Sequence, residues 1–115
     1  VHENVKQAIV NAGETDTRLV MRPLRNTERV LNNAAARKLL EKEASLGSNL
    51  KFEDIIEEVV GVYPRIMQQG DMESGVWSCG MVAGLIHDIP SCKELLDQIM
   101  AEARQIIENR LTAML

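Results

Sequence analysis

The stretch SCKELLDQIMAEARQIIENRL, from Ser91 to Leu111, decides the fold class. Ser91 followed three residues later by Glu94 is a capping box, in which a hydroxyl and a carboxylate each satisfy a free amide at a helix start. Leu95, Leu96, Ile99, Met100, Ala103, Ile106, Ile107 and Leu111 then recur every three or four residues and make one apolar stripe. The pattern predicts the longest helix of the chain, opening just after Pro90 and running nearly to the C-terminus.

Most of the remaining sequence has the same period. Phe52, Ile55, Ile56, Val59 and Val60 predict a short amphipathic helix ending at Gly61, and Val62 to Gln69 hold a further turn or two with Pro64 at the start. Asn26 or Thr27 is the expected cap of a helix reaching about Ser45, stopped by Gly47, with Val30, Leu31, Ala34, Ala35, Leu39 and Leu40 on its inner face. Val5, Ala8, Ile9 and Ala12 form another stripe, closed by Gly13. Only Thr17 to Leu24, TRLVMRPL, reads as a strand, and Pro23 makes it an edge or an end. One strand cannot form a sheet, so it is expected to pair outside this chain. The prediction is a mainly α chain of four to six helices with one short strand. A chain that begins at Val1 in mid-pattern is expected to be a fragment or a processed product.

Composition excludes several classes. The chain has 115 residues, 45 % hydrophobic, 26 % charged and only 3 % aromatic. It is too apolar for a disordered tail and too poor in aromatic residues for a base-stacking nucleic-acid platform. No apolar run reaches the roughly 20 residues of a membrane helix, and the first residues do not form a signal peptide. Two cysteines, Cys79 and Cys92, are too few for a disulfide framework, so a reducing, cytoplasmic setting is expected. The net charge is −4, yet Arg18, Arg22, Arg25, Arg29, Arg37 and Lys38 stand in one stretch against Glu28 alone. Such a face suits an anionic partner. The plainer expectation is that these cations pair with the acidic remainder of the chain.

Chemistry-bearing patterns are sparse. Cys79, His87, Asp88 and Cys92 lack the tight cysteine pair that zinc favours, so no metal site is expected. Cys92 lies at a helix N-terminus, which stabilises a thiolate, but no base is held beside it by the sequence, and both cysteines read as small core residues. Gly80-Met81-Val82-Ala83-Gly84 lacks the Lys-Ser/Thr ending of a phosphate loop and reads as a small-residue spacing for close packing. Five of the seven glycines, Gly61, Gly70, Gly75, Gly80 and Gly84, crowd into one third of the chain, where they serve tight turns or close approach of backbone to another group. The six scattered methionines read as core filling.

Two segments carry a family resemblance. MRPLRNTERVLNN, from Met21, and GVYPRIMQQGDMESGVWSCGMVAGLIHDIPSCKELLDQI, from Gly61, resemble the C-terminal part of the nitronate monooxygenases, formerly 2-nitropropane dioxygenases. The most specific pieces are Arg25-Asn26-Thr27 with Arg29-Val30, then Gly80, Val82-Ala83-Gly84-Leu85-Ile86 and Asp88-Ile89-Pro90. The resemblance implies the helical C-terminal part of a TIM-like barrel that holds FMN and oxidises alkyl nitronates with O2 to a carbonyl compound and nitrite. It divides the chain into an end-of-barrel helix and short strand over 1–25, a small helical subdomain over 26–75, and a flavin-facing loop with a returning helix over 76–115.

The same resemblance implies that the family's catalytic histidine precedes Val1. Neither His2 nor His87 matches it, so no catalytic residue is expected here. Ser78 is the expected polar substrate contact, with Gly80 and Met81 as pocket wall. FMN is expected in the intact enzyme and not on this chain alone. Arg18, Arg22 and Arg25 are expected to face the rest of the barrel or a second copy, and the apolar last helix to favour a homo-oligomer. Two alternatives compete: a flavin-dependent enoyl-acyl-carrier-protein reductase of the same barrel group, and a non-enzymatic helical interaction module using the basic face.

Overall fold

The helix over Ser91 to Leu111 forms as its capping box requires. In the computed structural model, which describes residues 1–115, the Ser91 hydroxyl accepts from the Glu94 amide at 3.2 Å and the Glu94 carboxylate accepts from the Ser91 amide at 2.8 Å. The hydrogen bonds from Ser91 hold the Glu94 carboxyl below its ordinary value. Helix α5 spans Cys92–Gln105, continues as a π-helical turn over Ile106–Leu111 and ends in a 3₁₀ turn at Thr112–Met114. Four further helices precede it: α1 (Glu3–Asn11), α2 (Ala34–Leu46), α3 (Ile56–Val59) and α4 (Tyr63–Met67). The chain is mainly α, as expected.

The expectation of a lone strand is overturned. Strand β1, Thr17–Val20, pairs antiparallel with β2, Glu28–Leu31, in the register Thr17 with Leu31 and Val20 with Glu28. Helix α2 therefore begins at Ala34 and not near Asn26, and Val30 and Leu31 belong to a strand. The reason is Asn33. Its side-chain oxygen caps the Ala36 amide at 2.8 Å, while its side-chain N–H groups donate to the Met72 and Gly75 carbonyls at 2.8 Å each. One buried side chain thus starts the helix and ties it to a loop some forty residues away. Between the strands, Met21 and Arg25 adopt left-handed backbone with φ of 59° and 54°, and the Met21 amide donates to the Glu43 carboxylate. Non-glycine residues rarely take that conformation, and α2 pins this turn.

Two apolar clusters form the core. Val20, Met21, Val30, Ala35, Ala36, Leu39, Leu50, Ile55 and Val76 pack the hairpin against α2 and the residues that follow it. Val5, Val62, Ile66, Trp77, Cys79 and Ala83 pack α1 and α4 against the loop after α4. Pro64 sits in the first turn of α4, where its missing N–H costs nothing. Glu58 is buried at the edge of the first cluster, 2.9 Å from both Lys38 Nζ and Lys42 Nζ. Burial raises its carboxyl, but the hydrogen bonds from the two lysines outweigh that and leave it below the ordinary carboxylate value.

Several other expectations change. None of Arg18, Arg22, Arg25, Arg29 or Arg37 makes an ion pair within the chain, so only Lys38 of the basic stretch pairs with the acidic remainder. Arg18 donates to the Thr15 and Thr17 carbonyls instead. Cys79 is buried but Cys92 is exposed, because a residue in the first turn of α5 has nothing packed over it. Of the methionines only Met21 is fully in the core, and Met81, Met100 and Met114 are exposed. No residue from Ser91 onward is buried. The radius of gyration is 18.2 Å, against about 13 Å for a compact chain of this length, because the last helix projects from the packed part.

Candidate functional site

The segment after Gly75 is held on both sides before it turns outward. The Val76 amide donates to the Glu58 carbonyl at 2.8 Å, the Leu31 amide to the Trp77 carbonyl at 3.3 Å, and the Cys79 amide to the Arg29 carbonyl at 3.1 Å. The last two bonds make an antiparallel bridge between Val30 and Ser78. Side chains alternate along such an extended segment. Trp77 and Cys79 accordingly enter the second core cluster, while Ser78 between them points to solvent. Burial pushes the Cys79 thiol up, which makes it a poor nucleophile.

Beyond Cys79 the backbone forms an exposed ridge. Gly80 is extended, and a Cβ placed on it would meet only Val82 Cγ1 at 3.9 Å. Met81 is 59 % exposed and opens a 3₁₀ turn over Met81–Leu85. The amides of Gly80, Met81 and Val82 donate to no group of this chain. A shallow cavity of about 210 Å³ beside the ridge is lined by Ile9, Trp77, Ser78, Gly80, Val82 and Ile86 among others, with no lysine or arginine.

The other glycines of the cluster serve the chain itself. A Cβ on Gly70, whose φ is +73°, would lie 2.3 Å from the His2 imidazole, and one on Gly75 would lie 2.3 Å from Val62. Gly84 allows close packing, as its spacing predicts, but from a 3₁₀ turn against the Glu14 backbone at 2.8 Å. His2, which matches no catalytic histidine, is half-buried and caps α1 through Nδ1, which accepts from the Asn4 amide. Gly80 is the member of the cluster with both ordinary backbone and open space.

Ser78, Gly80 and Met81 thus lie together on the ridge. Two further residues join them that sequence reasoning missed. Ser78 Oγ donates to the Glu28 carboxylate, and Tyr63 Oη lies 3.2 Å from Ser78 Oγ. A signal for Glu28 existed, since it is the lone acid in the basic stretch. Tyr63 is the single tyrosine of the chain. No three or more His, Cys, Asp or Glu side chains gather to hold a metal ion, and no helix is long and apolar enough to cross a membrane.

Comparison with known proteins gives this geometry a context. Two curated relatives share short stretches with it. One is the (3aS,4S,5R,7aS)-5-hydroxy-7a-methyl-1-oxo-octahydro-1H-indene-4-carboxyl-CoA dehydrogenase of Mycobacterium tuberculosis, 50 % identical over 34 residues, or 30 % of this chain and 10 % of that protein. The protein of the same name in Rhodococcus jostii is 42 % identical over 40 residues, covering 35 % and 11 %. The structure of FabK from Thermotoga maritima superposes on the whole of this chain with a TM-score of 0.84 and 31 % identity, and a mutant of that protein with a TM-score of 0.77 and 30 % identity. The chain spans 35 % of the first FabK chain and about a tenth of the curated relatives. Its fold is that of about a third of a TIM-barrel enzyme. A family model for nitronate monooxygenase matches residues 1–102, so this chain belongs to the nitronate monooxygenase family.

Proposed function

We propose that this chain is the helical C-terminal part of an FMN-dependent oxidoreductase that oxidises alkyl nitronates with O2 to a carbonyl compound and nitrite. The observation that carries the reading is the Ser78 to Met81 ridge, an exposed backbone edge with unused amides beside an apolar cavity, in a chain of this family. Ser78 contacts the substrate, and Gly80 and Met81 form pocket wall. FMN, when bound, supplies the one-electron redox chemistry and the protein positions it.

The residues present fit one part of that cofactor. The only charge at the ridge is the Glu28 carboxylate, and no lysine or arginine lines the cavity. They suit the uncharged ring system and not the phosphate, which the rest of the barrel would hold. Gly80 lets backbone approach the ring edge, and Trp77 and Val82 keep water from its flank. No catalytic residue is assigned to this chain, and alone it is inactive.

In the intact enzyme the apolar face of α5 packs on barrel helices. Freed from them, that face drives self-association, to be read by sedimentation velocity as a mass that grows with concentration. The functional reading itself is tested on the intact protein by visible absorbance and by O2 uptake with propane-2-nitronate. A flavin spectrum with nitronate-dependent uptake is the expected result; a colourless protein that ignores nitronates overturns it. A second reading, a flavin-dependent reductase acting on an acyl thioester, is favoured by the FabK likeness and by the two indene-carboxyl-CoA dehydrogenases, whose names carry a CoA thioester. A flavoprotein that oxidises NADH only when an enoyl thioester is added would select it.

A further inference from the structure

Asn33 does more than begin α2. It is 3 % exposed, and its side chain makes three hydrogen bonds within the chain: Oδ1 accepts from the Ala36 amide, and Nδ2 donates to the Met72 and Gly75 carbonyls. The loop answers from its own side, since the Glu73 carboxylate accepts from the Ala34 amide, the first of α2. Helix start and loop thus hold each other by a reciprocal clasp. Gly75, where the loop ends, is buried against Val62 with no room for a Cβ.

The ridge begins where the clasp ends. Ser78 follows shortly after Gly75, and one antiparallel bridge, Val30 with Ser78, joins this segment to β2. A single bridge fixes the spacing of two strands; their register needs a further anchor, because a slip of one residue would send Trp77 out and Ser78 in. The carbonyl of Gly75, held by Asn33, is that anchor. We propose that Asn33 is a positioning residue of the site: through the Met72 and Gly75 carbonyls it sets where Ser78 and Gly80 stand toward a ligand. The inference rests on the ridge facing the substrate, as proposed above. Being buried, Asn33 touches no ligand itself and acts only through the loop.

Its two services can be separated. In Asn33→Asp the carboxylate still caps α2 but has no hydrogen for the two carbonyls. Burial against carbonyl oxygens favours the protonated form, which regains one donor as the pH falls. Asn33→Ser caps α2 at every pH and regains nothing. Glu73→Ala opens the clasp from its exposed side and leaves the buried amide in place.

The variants are made in the intact protein labelled with 5-fluorotryptophan, where the Trp77 fluorine resonance is the one that Trp77→Phe removes. Each is compared with the wild type at pH 8 and pH 6 by that resonance and by kcat/KM for propane-2-nitronate. At pH 8 Asn33→Asp is expected to move the resonance and to lower kcat/KM about tenfold, the scale of a contact displaced by a fraction of an ångström. Both should return toward wild type at pH 6. Asn33→Ser should show the loss at both pH values, and Glu73→Ala a loss of about twofold, the effect of one exposed charge at a helix N-terminus. A loss in Asn33→Asp that does not recover at pH 6 overturns the proposal. So does an unmoved resonance, or one that moves in an active enzyme while kcat/KM stays. If the Asn33 variants fail to fold, Glu73→Ala decides alone: the expected shift upholds the proposal and unchanged values overturn it. A wild type that ignores nitronates overturns the functional reading alone, and the Trp77 resonance still tests the clasp.

Discussion

Helices α2 and α5 are written in the same code and meet different fates. Each carries apolar residues at three- and four-residue spacing and a polar side-chain cap at its start, Asn33 for α2 and Ser91 for α5. In α2 the stripe is covered: Ala35, Ala36 and Leu39 are buried against the hairpin and the residues that follow the helix. In α5 the stripe is bare, with Leu96 63 % and Met100 69 % exposed. Periodicity says which face of a helix is apolar; it does not say whether this chain holds the surface that covers it. The stability of the chain should therefore reside almost wholly before Ser91.

That contrast breaks most sharply at matched leucines. Leu39→Ala is expected to cost about 3 kcal/mol, from lost burial and the cavity left behind, whereas Leu96→Ala should stay within about 0.5 kcal/mol. Urea denaturation of both variants checks it, and equal losses would mean that α5 is covered after all. Glu58→Gln comes next, at about 2 kcal/mol, since it strands two lysines around a buried site but leaves them partly hydrated.

The same residue gives a pH dependence. The Glu58 carboxyl is lowered in the fold, so its contribution is complete above the ordinary value of 4.5 and is lost as pH falls through the lower folded value. Melting followed from pH 7 down to pH 3 should show that loss in the wild type and a flatter profile in Glu58→Gln.

Two glycines sharpen the comparison between packed and exposed backbone. Gly84→Ala drives a methyl into the Glu14 backbone and should cost about 1.5 kcal/mol. Gly80→Ala has room and ordinary φ, so the melt of the chain should not move, while ligand binding by the intact enzyme should weaken. Ser91→Ala should cost about 1 kcal/mol of helix stability at most. Circular dichroism should show lost helix content with the cooperative melt of the core unmoved.

The legible parts of the fold were those that local chemistry sets. The capping box of α5, the inner face of α2 at Ala35 and Leu39, and Pro64 at the start of α4 each follow from a few neighbouring residues. Strand β2 was hidden because Arg29-Val30-Leu31 runs into Ala34-Ala35-Ala36, and the whole reads as one helix. What separates them is Asn33, whose partners are Met72 and Gly75, far away in sequence. Nor does the turn between the strands carry the usual glycine, since Met21 and Arg25 take its left-handed positions. The candidate site was legible in part for the same reason. Ser78, Gly80 and Met81 are contiguous, so their nearness was given, while Glu28 and Tyr63 reach Ser78 only through the fold. How far the ridge serves a ligand is read from the Gly80 variant.

Asn33 also bears on the order in which the molecule opens. Its one amide serves the first turn of α2 and the Met72 and Gly75 carbonyls of the loop that leads to the ridge, so neither end can loosen without taking a bond from the other. The Ala36 amide, which Asn33 caps, and the Val76 amide, which lies just past the loop, should therefore exchange their hydrogens with solvent at matched rates, as members of one cooperative unit. The amides of Gly80 to Val82, a few residues further on, should exchange freely, so that the boundary between the clamp and the ridge is drawn in time as well as in space.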